Sequence, residues 1–129
     1  MPFFTMKKLV NIEDDIRIGS TGSRDLTGDL FCPPEGEANG SGIVIIHGGG
    51  WKEGDKNQLR GYGILLAREG FTCLTASYRL SQEKVWPAQI QDVNCAIRYM
   101  RANSDTLKID PNRIGAVSYT HLTLPTNGT

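Results

Sequence analysis

The chain has 129 residues, enough for one domain with a modest core. It is 39% hydrophobic and 22% charged, a balance that excludes a disordered or low-complexity chain. Its 14 basic residues offset 14 acidic ones, and that neutrality gives no footing for a nucleic-acid partner or an anionic membrane surface.

In chain order, short apolar stretches within 7–18 and 25–32 flank the turn-forming run GSTGSRD, which predicts an N-terminal hairpin. Residues 32–42, CPPEGEANGSG, read as a loop. GIVIIH at 42–47 is a continuous β-branched run, the pattern of a strand covered on both faces. The spacing of Leu59, Tyr62, Leu65 and Leu66 predicts a helix over 55–69, with Asp55 as N-cap and Gly70 as its stop. Gly61 and Gly63 weaken that helix unless close packing needs them. FTCLTASYRL at 71–80 predicts a mostly alternating strand.

Pro87 opens a second helix, PAQIQDVNCAIRYMRAN, whose stripe of Ile90, Val93, Ile97 and Met100 is ordinary core packing. DPNRIGAV at 110–117 reads as a turn and a buried strand. From residue 42 the order is strand, helix, strand, helix, strand. That alternation implies parallel strands joined by crossover helices, hence an α/β sandwich.

Cys32, Cys73 and Cys95 are an odd number without a CxxC spacing, so structural thiols in a reducing compartment are expected, and no metal site. The N-terminus turns acidic at Glu13 before any apolar leader core develops. It predicts neither a signal peptide nor a membrane span, and a cytoplasmic location, with export and a start at Met6 left open.

HGGGW at 47–51 stands at the carboxyl end of a strand, where open parallel sheets do their chemistry. Glycines there bare backbone N–H groups that can converge on negative charge. The spacing from Gly48 matches neither the dinucleotide fingerprint nor a P-loop, and a flexible glycine turn is the plainer alternative.

With HGGGW, the runs SYRL at 77–80, WPAQIQDVNCAIRYMRAN at 86–103 and DPNRIGAV, in this order, resemble the α/β-hydrolase fold. The likeness is to its esterase and lipase group carrying HGGG[WF], and it covers residues 8–117. The resemblance implies a three-layer sandwich with strand order 1-2-4-3-5 in this portion. It also implies a serine nucleophile with a histidine and an acid, acting on a small-molecule ester without a cofactor. Gly49 and Gly50 would then donate to the oxyanion, with Gly48 as the turn residue. His47 would position the loop, Trp51 would line a pocket or pack, and Tyr78, Arg79 and Asp92 would brace the structure. Short acyl and acetyl esters, acylated carbohydrates among them, are the implied substrates. An acylamide hydrolase of the same fold and a non-catalytic module using the loop as an anion nest are the alternatives.

Beyond RIGAV the family continues G-x-S-x-G-G, whose glycines relieve a strained elbow. Here Thr120 takes the serine's register, while Ser118 and Leu122 replace the flanking glycines, so Thr120 is not read as a nucleophile. Ser118 with His121 lacks both an acid and an elbow. VSYTHLTLPTN at 117–127 instead resembles a translated sequencing adapter, the transposase mosaic end. The expectation is a truncated hydrolase domain over 1–117 and a non-native tail over 118–129. Serine, acid and histidine of the triad would lie beyond the fragment. Strand five would be left as an open apolar edge.

Overall fold

A computed structural model describes residues 9–47, 59–80, 84 and 86–118. The first two strands, β1 (Asn11–Ser20) and β2 (Asp25–Cys32), form the antiparallel hairpin expected. Its turn closes through the Thr21 N–H on the Arg24 carbonyl, with Thr21 Oγ1 accepting from the Ser23 and Arg24 amides. Two register shifts bend β1, and at the first of them Asp15 adopts a left-handed φ of 54°.

Strand β3 (Gly42–Ile46), helix α1 (Arg60–Arg68), strand β4 (Thr72–Ala76), helix α2 (Ala88–Ala102), the short α3 (Ser104–Leu107) and strand β5 (Ile114–Ser118) follow. The sheet runs β1-β2-β4-β3-β5, the order the resemblance implied. Strands β3, β4 and β5 are parallel, whereas β2 joins β4 antiparallel.

The apolar run in β3 feeds two cores. Val44 and Ile46 face α2 with Leu74, Val93, Ala96 and Met100, while Ile45 joins Phe31, Cys73, Leu59 and Ala67 on the α1 side. Each large side chain so buried contributes about 1.5–3 kcal/mol, which makes the two-sided strand the spine of the fold.

Three sequence expectations change. Helix α1 begins at Arg60, not near 55; Leu59 is its N-cap, and Asp55 lies outside the described residues. Half of its apolar stripe turns outward, with Tyr62 50% and Leu65 57% exposed, while Leu59 is buried and Leu66 packs against the same core. The buried residues Gly63 and Ala67 decide this, because small side chains let the helix settle onto the ring of Phe31. A Cβ on Gly63 would stand 2.8 Å from Phe31 Cδ1, whereas one on Gly61 would meet nothing.

The strand expected over 71–80 is shorter and is covered on both faces. Every residue of β4 is buried, and its ladder with β2 ends at Ala76. Beyond that point the Arg79 amide donates to a side-chain carboxylate instead of a neighbouring strand. The buried strand expected at 110–117 is the edge strand β5, with Gly115, Ala116, Val117 and Ser118 exposed. Among the described residues nothing pairs with its outer side. Among the described residues no helix is long and apolar enough to cross a membrane.

Candidate active site

Register sets the site. Ile46 pairs with Ala76 on one side and with Ser118 on the other, so three parallel strands end level with one another. His47 after β3 and the SYRL segment after β4 therefore leave the sheet at the carboxyl ends of their strands, level with Ser118 at the end of β5.

At that end of the sheet His47 is 2% exposed and lies flat against the ring of Tyr78, with centroids 4.1 Å apart and planes 6° from parallel. The Tyr78 hydroxyl donates to the His47 carbonyl at 3.2 Å. Burial pushes the Tyr78 phenol up to about 12, so at neutral pH it keeps the proton with which it donates. The next residue, Arg79, grips Asp92 of α2 with both arms of its guanidinium, Nε to Oδ2 and Nη2 to Oδ1, each at 2.9 Å. The Arg79 backbone N–H adds a 2.8 Å bond to Asp92 Oδ2. Asp92 belongs to the inward face of α2 for this reason, beside Gln89, Val93, Ala96 and Met100. A continuous path of contacts thus runs from α2 through Arg79 and Tyr78 to the peptide that enters the glycine run.

Of the residues singled out in the sequence, the structure brings together His47, Tyr78, Arg79 and Asp92. Gly48, Gly49, Gly50 and Trp51 lie outside the described residues, as do Thr120, His121 and Leu122. Ser118 ends β5 and lines a cavity of about 220 Å³ with Ile45, Leu59, Tyr62, Leu66 and Val117. The three cysteines are free, and burial above all raises the Cys73 thiol to about 12 and that of Cys32 in the same direction. Thiols held protonated in this way are poor nucleophiles. Among the described residues no group of three or more His, Cys, Asp or Glu is placed to hold a metal ion.

One cluster escaped the sequence reading. Asp29, in the middle of β2, is 0% exposed. Its Oδ1 accepts from the Asp15 amide at the bulge, and its Oδ2 from Arg60 Nη1 at 3.0 Å. The same Nη1 reaches Asp14 Oδ1 at 2.7 Å, and the guanidinium carbon stands 5.5 Å from the centre of the Phe31 ring. The available signal was an acidic residue inside the apolar run LTGDLF, which demands a buried partner.

Comparison with known proteins agrees with this arrangement. The family model described as BD-FAE matches residues 28–123. "Esterase LipC" of Mycobacterium tuberculosis is 38% identical over 74 residues, which is 56% of this chain and 18% of that protein. Among solved structures, the native esterase Est2 of Thermogutta terrifontis superposes with a TM-score of 0.74 at 25% identity, over 89% of this chain and 41% of that one. A "truncated form of carbohydrate esterase from gut microbiota" superposes with a TM-score of 0.70 at 31% identity, over 90% of this chain and 41% of that one. The chain thus spans about a fifth to two-fifths of the length of these proteins. Five strands in the order β1-β2-β4-β3-β5 and a family match over residues 28–123 lead to one conclusion: the chain belongs to the BD-FAE family of α/β-hydrolase esterases.

Proposed function

We propose that this chain is the N-terminal part of a serine-dependent carboxylic-ester hydrolase and carries its oxyanion-binding half. The observation that carries the reading is the register of Ile46 opposite Ser118. It supports the reading because His47, the last described residue before the glycine run, follows Ile46 beside the end of the strand that leads to the nucleophile in this fold. Gly49 and Gly50 donate backbone N–H groups to the tetrahedral oxyanion, and Gly48 makes the turn. Each such donor is worth about 3 kcal/mol of transition-state stabilisation. His47 orients the loop, with Tyr78 beneath it, and Arg79 and Asp92 secure Tyr78 to α2. Trp51 lines the substrate pocket or packs beside the loop.

On this reading the serine, acid and histidine come from sequence beyond this fragment, and residues 118–129 are adapter-derived, although the family match extends to residue 123. The 129-residue chain then binds no acyl group covalently and turns over no ester. Short-chain acyl esters, including acetylated carbohydrates, are the substrate class, a reading supported by the likeness to a carbohydrate esterase.

Resequencing the genomic locus across the codon for Ala116 tests the reading. Continuation into G-x-S-x-G, with an acid and a histidine downstream, supports it. Continuation into Thr-His-Leu-Thr-Leu removes it, and a complete gene without a serine elbow makes the domain a binding module.

A further inference from the structure

The two edges of the sheet are finished in opposite ways. At one edge β1 carries Glu13, Asp14, Asp15 and Arg17 and is bent by two register shifts, features that deter another strand. At the other, β5 reads IGAVS, with neither charge nor proline, and its ladder with β3 runs without a shift from Ile114 to Ser118. The preceding residue, Arg113, is engaged elsewhere, its Nη2 bonding Ser41 Oγ at 2.7 Å. Gly115, Ala116, Val117 and Ser118 are all exposed. A regular, uncharged edge of this kind is a template for another strand. The chain carries no net charge, so net repulsion does not oppose the approach of a second copy.

The side chains of β5 also make that edge complementary to itself. Register against β3 puts Gly115 and Val117 on the α1 face, beside Ile43 and Ile45, and Ala116 on the α2 face, beside Val44. A two-fold axis through Ala116 pairs Ala116 with its own copy, Gly115 with Val117 and Ile114 with Ser118, so the whole strand is used. Val117 is 47% exposed, and a Cβ on Gly115 would meet nothing within 4 Å. Each valine therefore finds room over the glycine of the other copy. Tyr62 and Leu66 of α1 line one cavity with Ile45 and Val117, which sets the half-exposed Tyr62 beside the same seam. An axis at Gly115 or Val117 instead would leave two residues of β5 without partners and set valine against Arg113 or against valine.

We propose that two copies of this chain pair antiparallel through β5 about a two-fold axis at Ala116, joining two five-stranded sheets into one. A two-fold contact is closed, so association stops at the pair, and the joined sheet ends on both sides at the charged, bulged β1. The seam is a property of the 129-residue chain and does not depend on the oxyanion reading.

Disulfide trapping on the 129-residue chain, read by non-reducing electrophoresis beside sedimentation velocity, tests the seam. Directly opposed Cα atoms lie about 4.5–5.5 Å apart, within the span of a disulfide. Under mild oxidation Ala116→Cys is expected to form at least about fivefold more covalent dimer than the parent chain with its three free cysteines. Gly115→Cys and Val117→Cys should each stay at the parent level alone, yet crosslink to one another when mixed. The unmodified chain should sediment at the mass of two copies. A monomer at every concentration overturns the proposal, as do species larger than a pair. Equal trapping at all three positions, each variant tested alone, overturns it too, because that is the mark of parallel or unspecific contact.

Discussion

Two glycines in α1, two positions apart, should respond to the same substitution with opposite signs. Both occupy helical positions, so replacing either by alanine gains about 0.8–1 kcal/mol of helix propensity. At Gly61 an added Cβ meets nothing within 4 Å, and the gain stands alone. At Gly63 the Cβ lies 2.8, 2.9 and 3.0 Å from Cδ1, Cε1 and Cγ of Phe31. That ring is fully buried and packed with Ile45, Leu59, Ala67 and Cys73, so it has no free space to retreat into. Overpacking of this kind costs about 1–3 kcal/mol, so Gly63→Ala should lose up to about 2 kcal/mol net. The two variants should therefore differ by about 1–3 kcal/mol, a separation on the order of 1 M in the urea midpoint. Urea unfolding followed by far-ultraviolet circular dichroism reads this directly. Equal stabilisation by both alanines would refute the close approach of α1 to the sheet.

The remaining predictions concern the residues near the carboxyl ends of the strands. Asp92→Ala leaves the Arg79 guanidinium buried without its carboxylate and should lose about 3–5 kcal/mol in urea titration. The pair Arg79→Met with Asp92→Leu should lose only about 1–3 kcal/mol, for the Arg79 amide left without its acceptor. A double variant no better than Asp92→Ala would contradict the pairing. The phenol of Tyr78 is raised from 10 to about 12, so the folded state holds its proton after the unfolded chain has released it. That contribution is complete below pH 10 and fades as pH climbs toward 12, at up to about 1.4 kcal/mol per pH unit. Tyr78→Phe should flatten the stability profile over that interval, and an unaltered profile would show that Tyr78 titrates freely. The exposed edge strand β5 bears no charge to deter pairing, and its Val117 is 47% exposed. Val117→Lys should shift the chain from self-associated to monomeric species in sedimentation velocity, and identical profiles would argue against edge pairing.

Much of this architecture was legible in the residues. The β-branched run at 42–47 announced a strand covered on both sides, and Pro87 marked the start of α2 to within a residue. The strand order came from the resemblance, because alternation of strands and helices fixes parallelism without fixing who neighbours whom. Burial was less legible where small residues governed it. Counting apolar side chains put Tyr62 and Leu65 inward, but the distance of closest approach is set by Gly63 and Ala67, which carry almost no hydrophobic signal. The Asp29–Arg60 pair was invisible for a different reason. Its partners are 31 residues apart, and the bulge that completes the site depends on one left-handed residue, Asp15. At the carboxyl ends of the strands, SYRL pointed to Tyr78 and Arg79 as bracing residues, but the stacking on His47 and the bond to its carbonyl needed the spatial neighbourhood of β3 and β4.

The measurement closest to the central claim is p-nitrophenyl acetate hydrolysis by the purified 129-residue chain. Beside it runs the product of the genomic reading frame continued past Ala116. The account predicts no turnover above buffer for the first. For the second it predicts turnover that a serine-directed phosphonate abolishes. Serine-dependent hydrolysis by the 129-residue chain itself, or none by a continued product bearing an intact G-x-S-x-G, would contradict it.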